Sequence, residues 1–182
     1  VARRITDGTH MAVTTTEDGE IPFLFVSCVR DGEVHWKNAA KIASSTFMTI
    51  SKGREPEAGM ILYTAVGSYG FAAFVREPRN FAFQRHIACV YPILGRVSSE
   101  FLTEWLNHPS VRAYADTVAV GNAQKTITLG ALSRFPVILP DCEEQTRIAN
   151  AISTPTAKTI KLREHLNKLR QLKSALMQDL LT

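Results

Sequence analysis

Phe135-Pro136-Val137-Ile138-Leu139-Pro140-Asp141-Cys142-Glu143-Glu144-Gln145-Thr146-Arg147-Ile148-Ala149 is where the chain changes character. Its first six residues are apolar apart from the prolines that interrupt and end them, and they read as a short strand. From Glu143 the pattern turns helical. Positions 148, 152, 155, 159, 162, 166, 169, 173, 176 and 180 step by alternating four and three. From Leu162 onward this is a coiled-coil seam of Leu162, Leu166, Leu169, Leu176 and Leu180, with one polar intruder, Lys173. Pro155 predicts a break or kink near Thr154, because proline lacks an N–H and restricts the residue before it. The helix from Thr156 to Leu181 would then be roughly 39 Å long at 1.5 Å per residue. So narrow a stripe calls for a partner helix rather than a single-domain core. The same tail carries Lys158, Lys161, Arg163, Lys168, Arg170 and Lys173 against Glu164. A basic run on a helix is most often a solvated face; phosphate attraction and protein docking are the functional readings.

Upstream, residues 1–92 read as strands and turns. Ile21 to Val26 is a short apolar run. Asp31-Gly32 signals a turn before Glu33 to Trp36. Met60 to Thr64 reads as a buried strand, Gly67 to Gly70 as a turn, and Phe71 to Val75 and His86 to Tyr91 as further strands, the last stopped by Pro92. The period then changes. Ser98 and Ser99 suit a helix N-cap, and Phe101, Leu102, Trp105 and Leu106 share one helical face. Pro109 suits the first position of a second helix with Val111, Tyr114 and Val118. Gly121 to Gly130 reads as a polar loop. Strands followed by helices give an α+β class.

The composition is that of an ordinary globular chain: 182 residues, 45% apolar and 21% charged, with a net charge of +4 that permits a polyanion partner without establishing one. Cys28, Cys89 and Cys142 are an odd number at wide spacing, so neither a zinc knuckle nor a disulfide framework is indicated, and a reducing cytoplasm fits. No stretch is long and apolar enough for a membrane span. The P-loop, Rossmann and HExxH patterns are missing, and His10, His35, His86, His108 and His165 have no metal-ligand spacing. No catalytic residue, metal or cofactor is therefore assigned.

Three other polar constellations remain. Arg3-Arg4 with Thr6-Asp7-Gly8-Thr9-His10 fits phosphate contact and a solvated terminal turn equally well. Arg76, Arg79, Asn80, Gln84, Arg85 and His86 have the vocabulary of base readout, since arginine reads guanine edges and amides read adenine. Their bland alternative is a charged loop; Gln84 and Arg85 stand out because they lie at a strand entrance. Gly121 to Thr126, with Gln124 and Lys125, reads on composition alone as a plain surface loop.

Leu132 to Gln145 followed by Arg147-Ile148-Ala149 resembles the proline-flanked stretch and Glu-Glu-Gln helix start that close a target-recognition domain in type I restriction-modification specificity subunits. Leu169 to Thr182 resembles the usual close of that helix. Gly121 to Ile127, Gly59 to Leu62, Val66 to Gly70, Ile5 to His10 and Gly19 to Leu24 are similar to other family segments. The family's usual opening is missing and the chain starts at Val1 without Met, so a trimmed half-subunit or a fragment is expected.

The resemblance implies a target-recognition domain over residues 1–141, with a curled, mostly antiparallel sheet and a few helices. A spacer and dimerisation helix follows over 142–182. It also implies a non-catalytic subunit that reads double-stranded DNA and directs methyltransferase and restriction subunits to their site. Its helix would pair with that of a homodimer partner or of the second half of the same subunit. The loops at Thr6–His10, Ser68–Tyr69, Gln84–Arg85 and Gln124–Lys125 are expected to converge on one half-site. Gln84 and Arg85 are assigned to base edges, and Arg3, Arg4 and Lys125 to phosphates. Two alternatives stand beside this: a structural adaptor acting mainly through its helix, and a recognition domain detached from a fused methyltransferase-nuclease.

Overall fold

The computed structural model describes the backbone of residues 1–181, and the side chains except those of 153–161, 163–164 and 179–182. Nine strands and five α-helices follow one another: β1 Ala2–Asp7, β2 Ile21–Leu24, β3 Val29–Arg30, β4 Glu33–Val34, β5 Ala40–Ile42, α1 Ser44–Ile50, β6 Ile61–Thr64, β7 Ala72–Phe74, β8 Ala82–Phe83, β9 Ile87–Pro92, α2 Ser99–Asn107, α3 Pro109–Val118, α4 Leu129–Leu132 and α5 Cys142–Leu181.

The main sheet has the order β1-β9-β6-β7 and is antiparallel throughout. A second sheet, β5-β2-β8, holds one parallel pair, β2 with β8. Asp31 and Gly32 both have positive φ, 54° and 77°, and close the β3–β4 hairpin as their dipeptide signals.

Both faces of the main sheet are buried, which explains why its central strands are apolar without alternation. One face presents Ile61, Tyr63, Ala88 and Val90 to Phe101, Leu102 and Leu106 of α2 and to Val111 and Ala115 of α3. The other presents Leu62, Ile87, Cys89 and Tyr91 to Leu24, Val29, Phe81 and Phe83. A smaller cluster of Phe23, Ile42, Ile50 and Ala82 packs with Phe47 of α1. Cys28 and Cys89 are buried in the second face, while Cys142 is exposed.

The helices start where their caps direct. The Ser98 hydroxyl accepts from the Phe101 amide at 3.0 Å, and Pro109 opens α3. Asn107 covers part of the outer edge of β7, where Gly32 also bridges to Ala73: its side-chain oxygen accepts from the Ala72 amide and its side-chain nitrogen donates to the Ala72 carbonyl, both at 2.9 Å.

Residues 135–140 form no strand. Pro136 and Pro140 have no N–H for a ladder, and side chains supply the pairing instead. The Trp105 indole donates to the Pro136 carbonyl at 2.9 Å, and Gln145 donates to that of Pro140 at 2.9 Å. Of the break or kink expected near Thr154, the break does not form, since α5 runs through Pro155. A proline inside a helix costs one backbone bond and a steric clash, about 3 kcal/mol. Cys142 to Leu181 corresponds to about 60 Å of helix at 1.5 Å per residue. Leu162, Leu166, Leu169, Leu172 and Leu176 are exposed along it. The Leu180 side chain, like those of Lys158, Lys161, Arg163 and Glu164, lies outside the described residues.

Gln145 roots this helix in the body of the domain. It is 1% exposed. Its oxygen accepts from the Ser98 amide at 2.9 Å, and its nitrogen donates to the carbonyls of Arg96 at 3.1 Å and Pro140 at 2.9 Å. Gln145→Ala would orphan all three groups. Urea unfolding should show a loss of about 3 kcal/mol or more, at about 1–3 kcal/mol for each buried unsatisfied group; a loss below about 1 kcal/mol would mean that water replaces the amide without cost.

Candidate nucleic-acid interface

The register of the main sheet decides which loops meet. Asp7 pairs with Ala88, Ile87 with Thr64, and Ala72 with Tyr63. The end of β1, the start of β9, the end of β6 and the start of β7 therefore lie at one end of the sheet. Segments 8–10, 84–86 and 65–71 leave from that end.

Backbone bonds tie them together. Thr9 donates to the Phe83 carbonyl at 2.9 Å, and Arg85 donates to that of Thr9 at 3.1 Å. Ala65 donates to His86 at 2.9 Å, Ile127 to Ala65 at 2.8 Å, and Gly67 to Lys125 at 3.0 Å. Gly8 is required by this packing, because a Cβ there would overlap the carbonyl oxygens of Phe83 and Gln84.

The result is a cleft of about 380 Å³ lined by Asp7, His10, Arg85, His86, Gln124 and Thr126, among others. His10 and Arg85 are exposed, and the His10 ring nitrogen lies 2.6 Å from an Asp7 carboxylate oxygen, which orients the imidazole. Burial and then the adjacent Arg85 guanidinium lower the pKa of His86. Gln124 and Lys125 are exposed, and the Gln124 amide reaches across to Gly67. Ser68 and Tyr69 stand beside this rim rather than in the cleft. The Tyr69 hydroxyl donates to Asp116 at 2.6 Å, and this bond, with partial desolvation, raises the phenol pKa so that it stays a donor.

Thus His10, Arg85 and Gln124 line one cleft, with Gln84, Lys125, Ser68 and Tyr69 on the segments that adjoin it. Thr6 sits within β1 opposite Cys89 and is half-buried; the buried Thr9 hydroxyl instead accepts from the Met11 amide at 3.1 Å. Arg3 and Arg4 are not brought to this cluster. They lie at the opposite end of β1, where Ala2 pairs with Pro92. Arg3 pairs with Glu57, and the Arg4 guanidinium carbon stacks 3.9 Å from the centre of the Tyr91 ring. Arg76 and Arg79 belong to a different cleft of about 300 Å³ with Glu33 and Glu77, where they stack on Phe74 and Trp36.

Several positioning residues have no sequence signature. Arg54 donates to the Asp7 carbonyl at 2.8 Å from 47 residues away, and Arg112 donates to that of Gly70 at 2.8 Å. Only chain folding brings them there. Among the described residues no group of three or more His, Cys, Asp or Glu is placed to hold a metal ion, and no helix is long and apolar enough to cross a membrane.

A family model for the type I restriction modification DNA specificity domain matches residues 7–173. The chain belongs to that family. The match spans the cleft and most of α5, so the converging loops are part of a type I specificity domain. The fold is similar to a crystal structure of a type I restriction-modification S subunit from M. genitalium, at 15% identity and TM-score 0.57, over 83% of this chain and 36% of that one. It is also similar to a chain from a structural study of complex assembly and conformational transition of the type I R-M system, at 19% identity and TM-score 0.60, over 94% of this chain and 41% of that one. At such identities the likeness is one of fold. The chain spans about two fifths of the length of these solved chains. A search of curated proteins gives no match.

The lowered His86 pKa has a definite sign. The folded chain binds fewer protons than the unfolded chain once pH falls to the ordinary imidazole value near 6.5. Stability is therefore full above that value and declines as pH drops below it toward the folded pKa. Between pH 7.5 and 5.5, the unsubstituted chain should lose more stability than His86→Gln in urea titrations, and equal losses would contradict the assignment.

Proposed function

We propose that this specificity domain reads one half-site of duplex DNA with the cleft end of its main sheet, and that α5 spaces it from a second reader. The observation that carries the reading is the convergence of His10, Arg85 and Gln124 on one cleft, with Lys125 on its rim. An arginine and amides on segments that backbone bonds tie to the sheet would supply base-edge partners, and a flanking lysine phosphate contact. Gln84 and Arg85 are assigned to bases and Lys125 to the backbone. Arg3 and Arg4 are already engaged by Glu57 and Tyr91, so phosphate neutralisation beside the cleft falls to other residues.

Residues 1–141 are the reading unit in this proposal, and 142–182 the spacer. The exposed Leu162, Leu166, Leu169 and Leu176 suit packing against a second helix, from another copy or from the other half of a longer subunit, with Leu180 continuing the seam. The methyltransferase and restriction subunits of the system would supply the chemistry at the site so chosen.

Arg85→Ala should cost about 1–3 kcal/mol on the preferred duplex and relax one base position, measured by fluorescence anisotropy over a panel of single-substitution duplexes. Lys125→Ala should weaken all sequences alike and reduce the salt slope by about one unit. An Arg85→Ala protein with unaltered affinity and preference would remove the cleft from the reading surface. Replacing Leu166 and Leu169 together with Glu should convert an associated chain to monomers in sedimentation. A chain that is monomeric before substitution, at tens of micromolar (an order-of-magnitude choice for weak coiled coils), would rule out self-pairing.

A further inference from the structure

A second polar feature lies at the same end of the sheet and is not absorbed by the cleft. Phe71 precedes β7, and its half-buried ring carries two guanidinium groups. The Arg30 guanidinium carbon is 4.1 Å from the ring centre and that of Arg112 is 3.9 Å. The two carbons are thus no farther apart than the sum of those distances.

Neither arginine has a carboxylate within ion-pair distance. Among the described residues the ion pairs are Arg3 with Glu57 and His10 with Asp7. Asp116, one turn along α3 from Arg112, accepts from Tyr69 instead. Backbone carbonyls fix both forks: Arg112 Nε donates to Gly70 at 2.8 Å, and Arg30 Nη1 donates to Val26 at 3.0 Å and Val29 at 2.6 Å. Each guanidinium has five N–H donors, so these contacts leave donors unspent on both. Partial burial, and then the nearby Arg112 charge, lower the pKa of Arg30, while the neighbouring Asp31 acts the other way.

We propose that Arg30 and Arg112, braced on Phe71, clamp a phosphodiester of the DNA backbone beside the reading cleft. Two guanidinium forks held by backbone carbonyls rather than by ion pairs suit the DNA backbone, whose phosphate oxygens accept from guanidinium N–H groups. The location suits a backbone contact. The Gly67–Gly70 turn has Lys125 bonded to Gly67 on one side and Arg112 bonded to Gly70 on the other. A strand whose bases enter the cleft would pass this turn. The clamp rests on the DNA-reading proposal and adds to it a phosphate anchor fixed to α3 and to the β3–β4 hairpin.

The test measures duplex affinity against salt for the full chain, for the double variant Arg30→Gln with Arg112→Gln, and for Lys125→Ala. The double variant should weaken every sequence alike and lower the salt slope by about 0.9, the loss of one phosphate contact. A slope lowered by Lys125→Ala but kept by the double variant overturns the clamp alone. Absence of duplex binding by the unsubstituted chain overturns both proposals. Because the substitutions also remove carbonyl contacts, phenylglyoxal labelling of the unsubstituted chain, read by mass spectrometry, gives an independent answer. Duplex should protect both Arg30 and Arg112. Equal labelling with and without duplex, or protection by inorganic phosphate but not by duplex, overturns the assignment.

Discussion

The buried carboxamide of Gln145 is the joint on which the arrangement of the molecule depends. It satisfies one amide and two carbonyls that no ladder or helix bond reaches, at the turn before α2 and at the proline that precedes α5. A buried amide with three partners is far costlier to displace than to keep. It therefore fixes the direction in which α5 leaves the domain. Ser98, which Gln145 grips through its amide, is also the N-cap of α2, and α2 packs on the main sheet. The base of α5 and the sheet are thus one mechanical unit.

That unit has two ends. Antiparallel pairing along β9 places the cleft loops at its Ile87 end and the Gln145 joint just beyond its Pro92 end. The strand between them is six residues, or roughly 20 Å at 3.3–3.4 Å per residue. In the proposed function the reader stands at one end and the root of the spacer at the other, as a ruler requires. The distance between two reading clefts would then be set by rigid elements, not by loops.

Much of this was legible because its causes are local. The strands Ile61–Thr64 and Ile87–Pro92, the hairpin at Asp31-Gly32, the Ser98 cap and Pro109 at the start of α3 each announce themselves within a few residues. The Glu-Glu-Gln stretch was legible as a pattern, but its reason was not, since the partners of Gln145 include groups nearly fifty residues away. The apolar run at 135–140 misled for a related cause: a strand needs a neighbour, and here indole and amide side chains take the neighbour's place. Of the polar constellations, Gln84–Arg85 was separable from the background only by sitting at a strand entrance, and Gln124–Lys125 read on composition as a plain loop. Arg3 and Arg4 have the same chemistry, but strand direction carries them to the far end of the sheet. Arg30 and Arg112 left no trace, because nothing local marks an arginine that will meet another across a phenylalanine ring.

The central claim is that the cleft end of this sheet selects a DNA sequence. Repeated selection of randomised duplexes by the full chain, followed by sequencing of the retained pool, tests it most directly. A single short motif should emerge, or two copies at fixed spacing if α5 pairs. Retention of duplexes with no enriched motif would contradict the claim, and would leave the chain a nonspecific binder whose main interaction is made through its helix.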